Sequence, residues 1–335
     1  MKKTLFTLAA AMVLGAGAAQ AADLKMAVKA PPPVIVSPWD VAFGGAVMSD
    51  YIFRGITQSN HKPAVSTYIE PRYNINPNLQ LYAGLGGASI DFTNHAAAEI
   101  DIYAGIRPTF GPLAFDLGVW YYWYPGGQCV DGAVGGGLVC PLGSLTYPNL
   151  NVAKKDVSFV EVFGKVTWTI NDYLTIGANA FYSPDYLNSG ADGTYVSATA
   201  KFTGPAMSNG LGWYVSGEIG EQFLGTSDTF FSLGAFGAGT AFSLAGIDFP
   251  DYATWNIGVG LTYKIFTLDL RYSGTNLSKS DCNGLTGDYR ASTISTPVFP
   301  AGGFNPINPT GFGSNWCDDR FVAKLSFDST LNALK

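Results

Sequence analysis

Apolar and polar residues alternate along much of this chain, most plainly from Pro112 to Pro125, PLAFDLGVWYYWYP. One set is Leu113, Phe115, Leu117, Val119, Tyr121 and Trp123; the other is Ala114, Asp116, Gly118, Trp120, Tyr122 and Tyr124. Successive side chains of a strand point to opposite faces, so this segment has one apolar face and one polar face. It is slightly longer than the ~9–11 residues a tilted strand needs to cross a bilayer. Its aromatics crowd the C-terminal end, where a membrane-interface girdle lies.

The pattern recurs. Twelve strands are expected near 39–54, 64–75, 78–91, 97–109, 113–124, 156–170, 173–184, 194–203, 211–220, 252–265, 266–275 and 319–328. Ile100, Ile102, Ala104 and Ile106 form the apolar set of one, and Trp255, Ile257, Val259, Leu261 and Tyr263 that of another. The charged residues of the strands are Asp50, Arg54, Glu70, Arg72, Glu99, Asp101, Arg107, Asp116, Glu161, Lys165, Lys201, Glu218, Lys264, Asp269, Arg271, Arg320 and Lys324, each opposite an apolar set. A basic side chain facing lipid at mid-bilayer costs roughly 2–4 kcal/mol, which one-sided placement avoids. The expected fold is all-β: a transmembrane antiparallel up-and-down β-barrel of about twelve strands, with those seventeen residues as pore-lining candidates. A soluble β-sandwich, with its charges facing bulk water, is the competing reading of the same alternation.

Connections alternate in length. Asn76-Pro77, 110–112, Asn171-Asp172, 204–210 and the Ile265 junction are mostly tight, whereas 55–63, 92–96, 125–155, 185–193, 221–251 and 276–318 are mostly longer. Outer-membrane barrels have short periplasmic turns and long external loops, so both barrel termini are expected in the periplasm. The segment 221–251 is too apolar for a free surface loop, and an extra hairpin there would make fourteen strands.

The N-terminus sharpens the compartment. Residues 1–21 combine Lys2 and Lys3, an apolar run from Leu5 to Leu14 and Ala19-Gln20-Ala21, the plan of a secretory signal peptide. Its removal takes the formal charge from −6 to about −8. Residues 22–38 are a proline-rich periplasmic lead-in, and 39–335 the barrel. No later apolar run is long enough for a spanning helix. Charged residues are only 13% of the chain, half the ~25% of soluble proteins, which suits a lipid-facing barrel. The expected site is the outer membrane of a Gram-negative bacterium.

Cys129, Cys140, Cys282 and Cys317 lie in two long loops of an exported chain. Disulfides 129–140 and 282–317 are expected, with free thiols or another pairing as alternatives. His61 and His95 lie on loops, with Ser59 and Asn60 near the first, but no spacing fixes a catalytic or metal site. No cofactor is expected, and no basic stripe points to nucleic acid.

The first strand and its loop read Ser49-Asp50-Tyr51-Ile52-Phe53-Arg54-Gly55-Ile56-Thr57-Gln58-Ser59. This resembles the opening signature of the TorF-type porin family of proteobacterial outer membranes, and Tyr252–Asn276 is similar to its final hairpin. The resemblance implies an outer-membrane barrel with a pore; it brings no established substrate. The residues themselves point to passive diffusion of small polar solutes or ions rather than covalent chemistry. Eight acids and nine bases make the lumen nearly neutral, and twelve strands fall between self-filled small barrels and wide porins. Thirteen acidic residues against five basic ones in the external loops favour cations weakly. A non-conducting barrel for surface recognition or adhesion is the alternative. Lipid and small solutes are the expected partners; no oligomeric state is implied.

Overall fold

Pairing the alternating segments in chain order leaves no sheet edge exposed. The computed structural model describes residues 38–132, 137, 139–147, 149, 151–231, 246–293 and 312–334. The barrel strands are β1 (Trp39–Met48), β2 (Ala64–Asn76), β3 (Leu79–Ala88), β4 (Glu99–Phe110), β5 (Leu113–Trp123), β6 (Phe159–Thr169), β7 (Leu174–Ser183), β8 (Gly193–Thr203), β9 (Gly212–Leu224), β10 (Tyr252–Tyr263), β11 (Phe266–Thr275) and β12 (Arg320–Thr330). Each is antiparallel to its neighbours, and β1 closes on β12 from Ala42↔Thr330 to Met48↔Lys324. A closed barrel satisfies every ladder from within, the condition for strands to span a bilayer.

The outer face is apolar. On β5, Leu117 and Val119 are 43% and 49% exposed, while Asp116 and Tyr122 on the other face are 9% and 5%. Val47, Ile69, Leu85, Ile102, Ile257 and Leu270 continue the belt around the barrel. Aliphatic exposure on this scale is a lipid-facing surface, and the sandwich reading falls with it. The fold is a twelve-stranded transmembrane β-barrel. Replacing Leu117 by arginine is expected to cost ~2–4 kcal/mol. Urea titration in lipid vesicles reads the change; an unmoved midpoint would contradict a lipid-facing Leu117.

The strand bounds bring four corrections. The first strand ends at Met48, so Asp50 and Arg54 belong to the connection after it. Lys264 lies in the tight turn between Tyr263 and Phe266, exposed and with φ 56°. β9 runs to Leu224, beyond the expected end at 220, which makes Glu221 a strand residue rather than a loop acid. The barrel closes with twelve strands, without the fourteenth-strand hairpin; Thr226 bridges Asp248, and 232–245 lie outside the described residues. The signal peptide and the lead-in up to Ser37 also lie outside them.

Side chains fill much of the interior. Tyr82, Tyr103 and Phe163 are buried there, and Trp120 stacks on Tyr103 at 4.2 Å. Among the described residues no helix is long and apolar enough to cross a membrane.

Candidate functional site

The connection between β1 and β2 folds back into the mouth of the barrel. Ile52–Phe53 pairs with Ile56–Thr57, leaving Arg54 and Gly55 as the two central residues of a hairpin turn. Both have positive φ, 46° and 80°, as a type I′ turn requires. A Cβ on Gly55 would stand 2.3 Å from Thr275 Cγ2 and 2.9 Å from the Gly274 carbonyl, so only glycine fits against β11. Arginine in a left-handed conformation costs ~1–2 kcal/mol, a strain retained where surrounding bonds hold it.

Those bonds run across the lumen. Arg54 Nη2 donates to Glu161 Oε2 on β6 at 2.8 Å, and Nη1 to Gln222 Oε1 on β9 at 2.9 Å. The guanidinium carbon lies 4.6, 5.1, 4.6 and 5.9 Å from the rings of Phe53, Phe181, Tyr195 and Tyr186. Arg54 is thereby a bolt from the loop to two distant walls. Its side chain is 5% exposed and that of Glu161 not at all.

The other signature residues anchor the bolt. Asp50, buried, accepts from Thr57 Oγ1 at 2.5 Å and Ser59 Oγ at 2.9 Å. Its second oxygen lies 3.0 Å from His61 Nδ1 and 3.7 Å from Arg320 Nε on the last strand. Arg320 Nη2 and Asn315 Oδ1 each lie 3.0 Å from His61 Nε2, which ties the ring to the last strand. Tyr51 donates to Glu99 on β4, and the Gln58 amide to the Tyr51 carbonyl at 2.6 Å. Ser59 and His61 each bond Asp50, which ties the two ends of the loop together. His95 bonds Tyr147 at 2.7 Å. Among the described residues no cluster of His, Cys, Asp or Glu could hold a metal ion.

The long connections roof the site. Thr93 donates to the Gly287 carbonyl at 2.8 Å, Asn149 to that of Asp288 at 2.7 Å, and Trp316 Nε1 to Asn60 Oδ1 at 3.1 Å. Helix α1 (Lys279–Thr286), capped by Ser278, carries Cys282 into this roof. Both expected disulfides are formed, Cys129–Cys140 and Cys282–Cys317. Beneath the roof lies a mostly apolar cavity of about 120 Å³, bordered by Phe53, Tyr124, Phe159, Tyr186, Leu285 and Trp316.

Several loop acids are engaged within the roof. Asp228 pairs with Lys154, Asp318 with Lys279, and Asp131 Oδ2 accepts from the amides of Val139 and Cys140. Burial raises the Asp91 carboxyl, but hydrogen bonds from Lys62, Asn60 and Tyr289 outweigh it and hold its pKa below the ordinary aspartate value. Its contribution to stability is therefore complete above that ordinary value and disappears as pH falls through the lower folded one.

The remaining charged candidates lie on the inner face of the strands. Glu70 is held by Arg72 and Arg107 at 2.6 and 2.7 Å, and Arg107 reaches Asp116 at 3.3 Å. Asp269 pairs with Arg271 at 2.8 Å and lies across from Lys324 in the ladder. Trp120 Nε1 donates to Asp101, and Tyr195 to Glu218. Lys165 stands over Phe163, and Lys201 over Tyr214. These contacts narrow the lumen. Sequence reasoning missed Gln222, Phe181, Tyr186 and Tyr195 around Arg54. Inward parity marks Phe181 and Tyr195; Tyr186 lies past a strand end and carries no such signal.

A family model described as bacterial protein of unknown function (Gcw_chp) matches residues 34–293. No curated protein is detectably similar to the chain. Among solved structures, it resembles an outer membrane channel from Pseudomonas putida F1 at 9% identity and TM-score 0.38, over 88% of this chain and 96% of that one. A FadL homologue of Pseudomonas aeruginosa matches at 12% identity and TM-score 0.37, over 87% and 89%. LpxR from Salmonella typhimurium matches at 10% and 0.36, over 86% and 99%. Likenesses this distant carry no argument about activity.

Proposed function

The chain belongs to the Gcw_chp family of bacterial proteins of unknown function, and from its site we propose that it is an outer-membrane channel for small polar solutes or ions, closed by its own first loop. The observation that carries this is Arg54, held across the lumen between Glu161 and Gln222 by a loop that is not part of the barrel wall. A barrel needing only a filled interior could be filled from its strands. A loop on a strained turn, docked into the lumen through Arg54 and anchored at its base by Asp50 and Tyr51, is instead an element with two positions.

The TorF-type signature supports the same reading, because Asp50, Tyr51, Arg54, Gly55 and Ser59 all build the docked loop. Membership in that porin family, a Gram-negative outer membrane, periplasmic barrel termini and a lumen lined by the inward charges are parts of the proposal. Residual acidity of the roof gives a weak preference for cations.

Planar-bilayer recording of the refolded barrel tests it. The expected trace is mostly closed, with small openings and a reversal potential in a salt gradient shifted toward the cation's. A correctly folded barrel that never conducts would overturn the channel and leave surface recognition as the function.

A further inference from the structure

The niche around Arg54 has the features of a binding site, and the occupant is part of the protein. Its floor is a carboxylate and an amide oxygen, Glu161 Oε2 and Gln222 Oε1, each accepting from a different nitrogen of one guanidinium. Its walls are Phe181, Tyr186 and Tyr195. Cation–π attraction is strongest when the cation is desolvated, and guanidinium sheds water more readily than ammonium. A planar fork also meets two separated acceptors at once, which a point charge does not.

One further observation points to a ligand. Glu161 Oε1 is buried and has no hydrogen-bond partner among the described residues. A buried carboxylate oxygen without a donor is costly. Arg54, fixed by its turn, does not reach it. A free guanidinium, unconstrained by a backbone, is expected to turn within the niche so that it donates to both oxygens of Glu161.

We propose that this niche is the solute-recognition site of the channel, selecting small monosubstituted guanidinium compounds, with Arg54 occupying it in their place when the loop is docked. The assignment rests on the gated-channel reading and adds the solute class. Arriving solute competes with a tethered arginine, so binding and opening are one exchange: Arg54 leaves Glu161 as the solute takes it. No covalent step is involved.

Methylguanidinium is the probe. Arg54→Ala, with the niche empty, is expected to bind it at least tenfold more tightly than wild type in calorimetric titration, because no tethered competitor remains. The double variant Arg54→Ala/Glu161→Gln is expected to lose that binding. In bilayers, millimolar methylguanidinium should raise wild-type open probability where equal methylammonium does not; this arm needs no variant to fold. Equal affinity in wild type and Arg54→Ala, together with no effect of the probe on wild-type openings, overturns the site. If Arg54→Ala conducts yet does not bind methylguanidinium, the recognition site falls while the channel stands. If it binds but no form ever conducts, the channel fails and recognition of guanidinium compounds by a closed barrel stands.

Discussion

Replacing Arg54 by alanine is expected to turn a mostly closed barrel into a persistently conducting one. The substitution removes two hydrogen bonds that tie the loop to β6 and β9. Bonds to charged groups contribute ~1.5–3 kcal/mol each, and ~1.4 kcal/mol is tenfold in an equilibrium. Open probability should therefore rise at least tenfold. The docked loop also loses the counter-charge bonded to a fully buried Glu161, so the closed state is destabilised from both partners. Gly55→Val reaches the same end by another route. It keeps the guanidinium but forces a side chain into the 2.3 Å gap before Thr275. The two variants should conduct alike in bilayers, with unchanged barrel migration on unheated gels. Wild-type open probability in Arg54→Ala would show that the loop is no gate.

The second large effect concerns Cys282–Cys317. Its ends are 35 residues apart, against 11 for Cys129–Cys140. On the chain-entropy model the longer bridge contributes ~4 kcal/mol and the shorter ~3. Position matters more than this difference. Cys282 and Cys317 pack with Ile56, Tyr252 and Trp316, and Trp316 bonds Asn60 of the first loop. The bridge thus holds the roof onto the bolt. Cys282→Ser/Cys317→Ser should loosen the backbone around the already exposed Lys279 and Arg290 enough for trypsin to cleave there, and raise the open probability as well. The barrel itself should remain protected. Cys129→Ser/Cys140→Ser should loosen only its own loop. If the first pair of substitutions leaves cleavage and conductance unchanged, the roof is held by its hydrogen bonds alone.

The barrel wall was legible in the sequence because its physics is local and periodic. On β5 the burial follows the predicted alternation from Asp116 to Trp123. The loop was not legible, and Asp50 and Arg54 show why. In Ser49–Arg54 the period-two pattern continues, so the chain reads as more strand. The break comes from Asp50 gathering Thr57, Ser59 and His61, which are seven to eleven residues ahead. Side-chain bonds of that reach leave no periodic trace. Arg54 is inward, as its parity says, but from the wrong element. Gln222 was hidden by a strand end placed at 220, where Gly220 and Glu221 interrupt the apolar set. The acids of the long loops were visible as charge, while their partners, such as Lys154 for Asp228, are set by tertiary contact.

Arg320, the first residue of the last strand, has a consequence for the order in which the protein folds. It meets Asp50 and His61 across the seam where the two ends of the barrel join. The first loop is made early in the chain, yet one of its anchors arrives only with the twelfth strand. The loop therefore cannot complete its bonds during the growth of the sheet. Contacts of such high sequence separation form late, after the loop-closure entropy of the whole chain has been met. A barrel still being assembled is unbolted throughout, and docking of the first loop reports that the seam has closed.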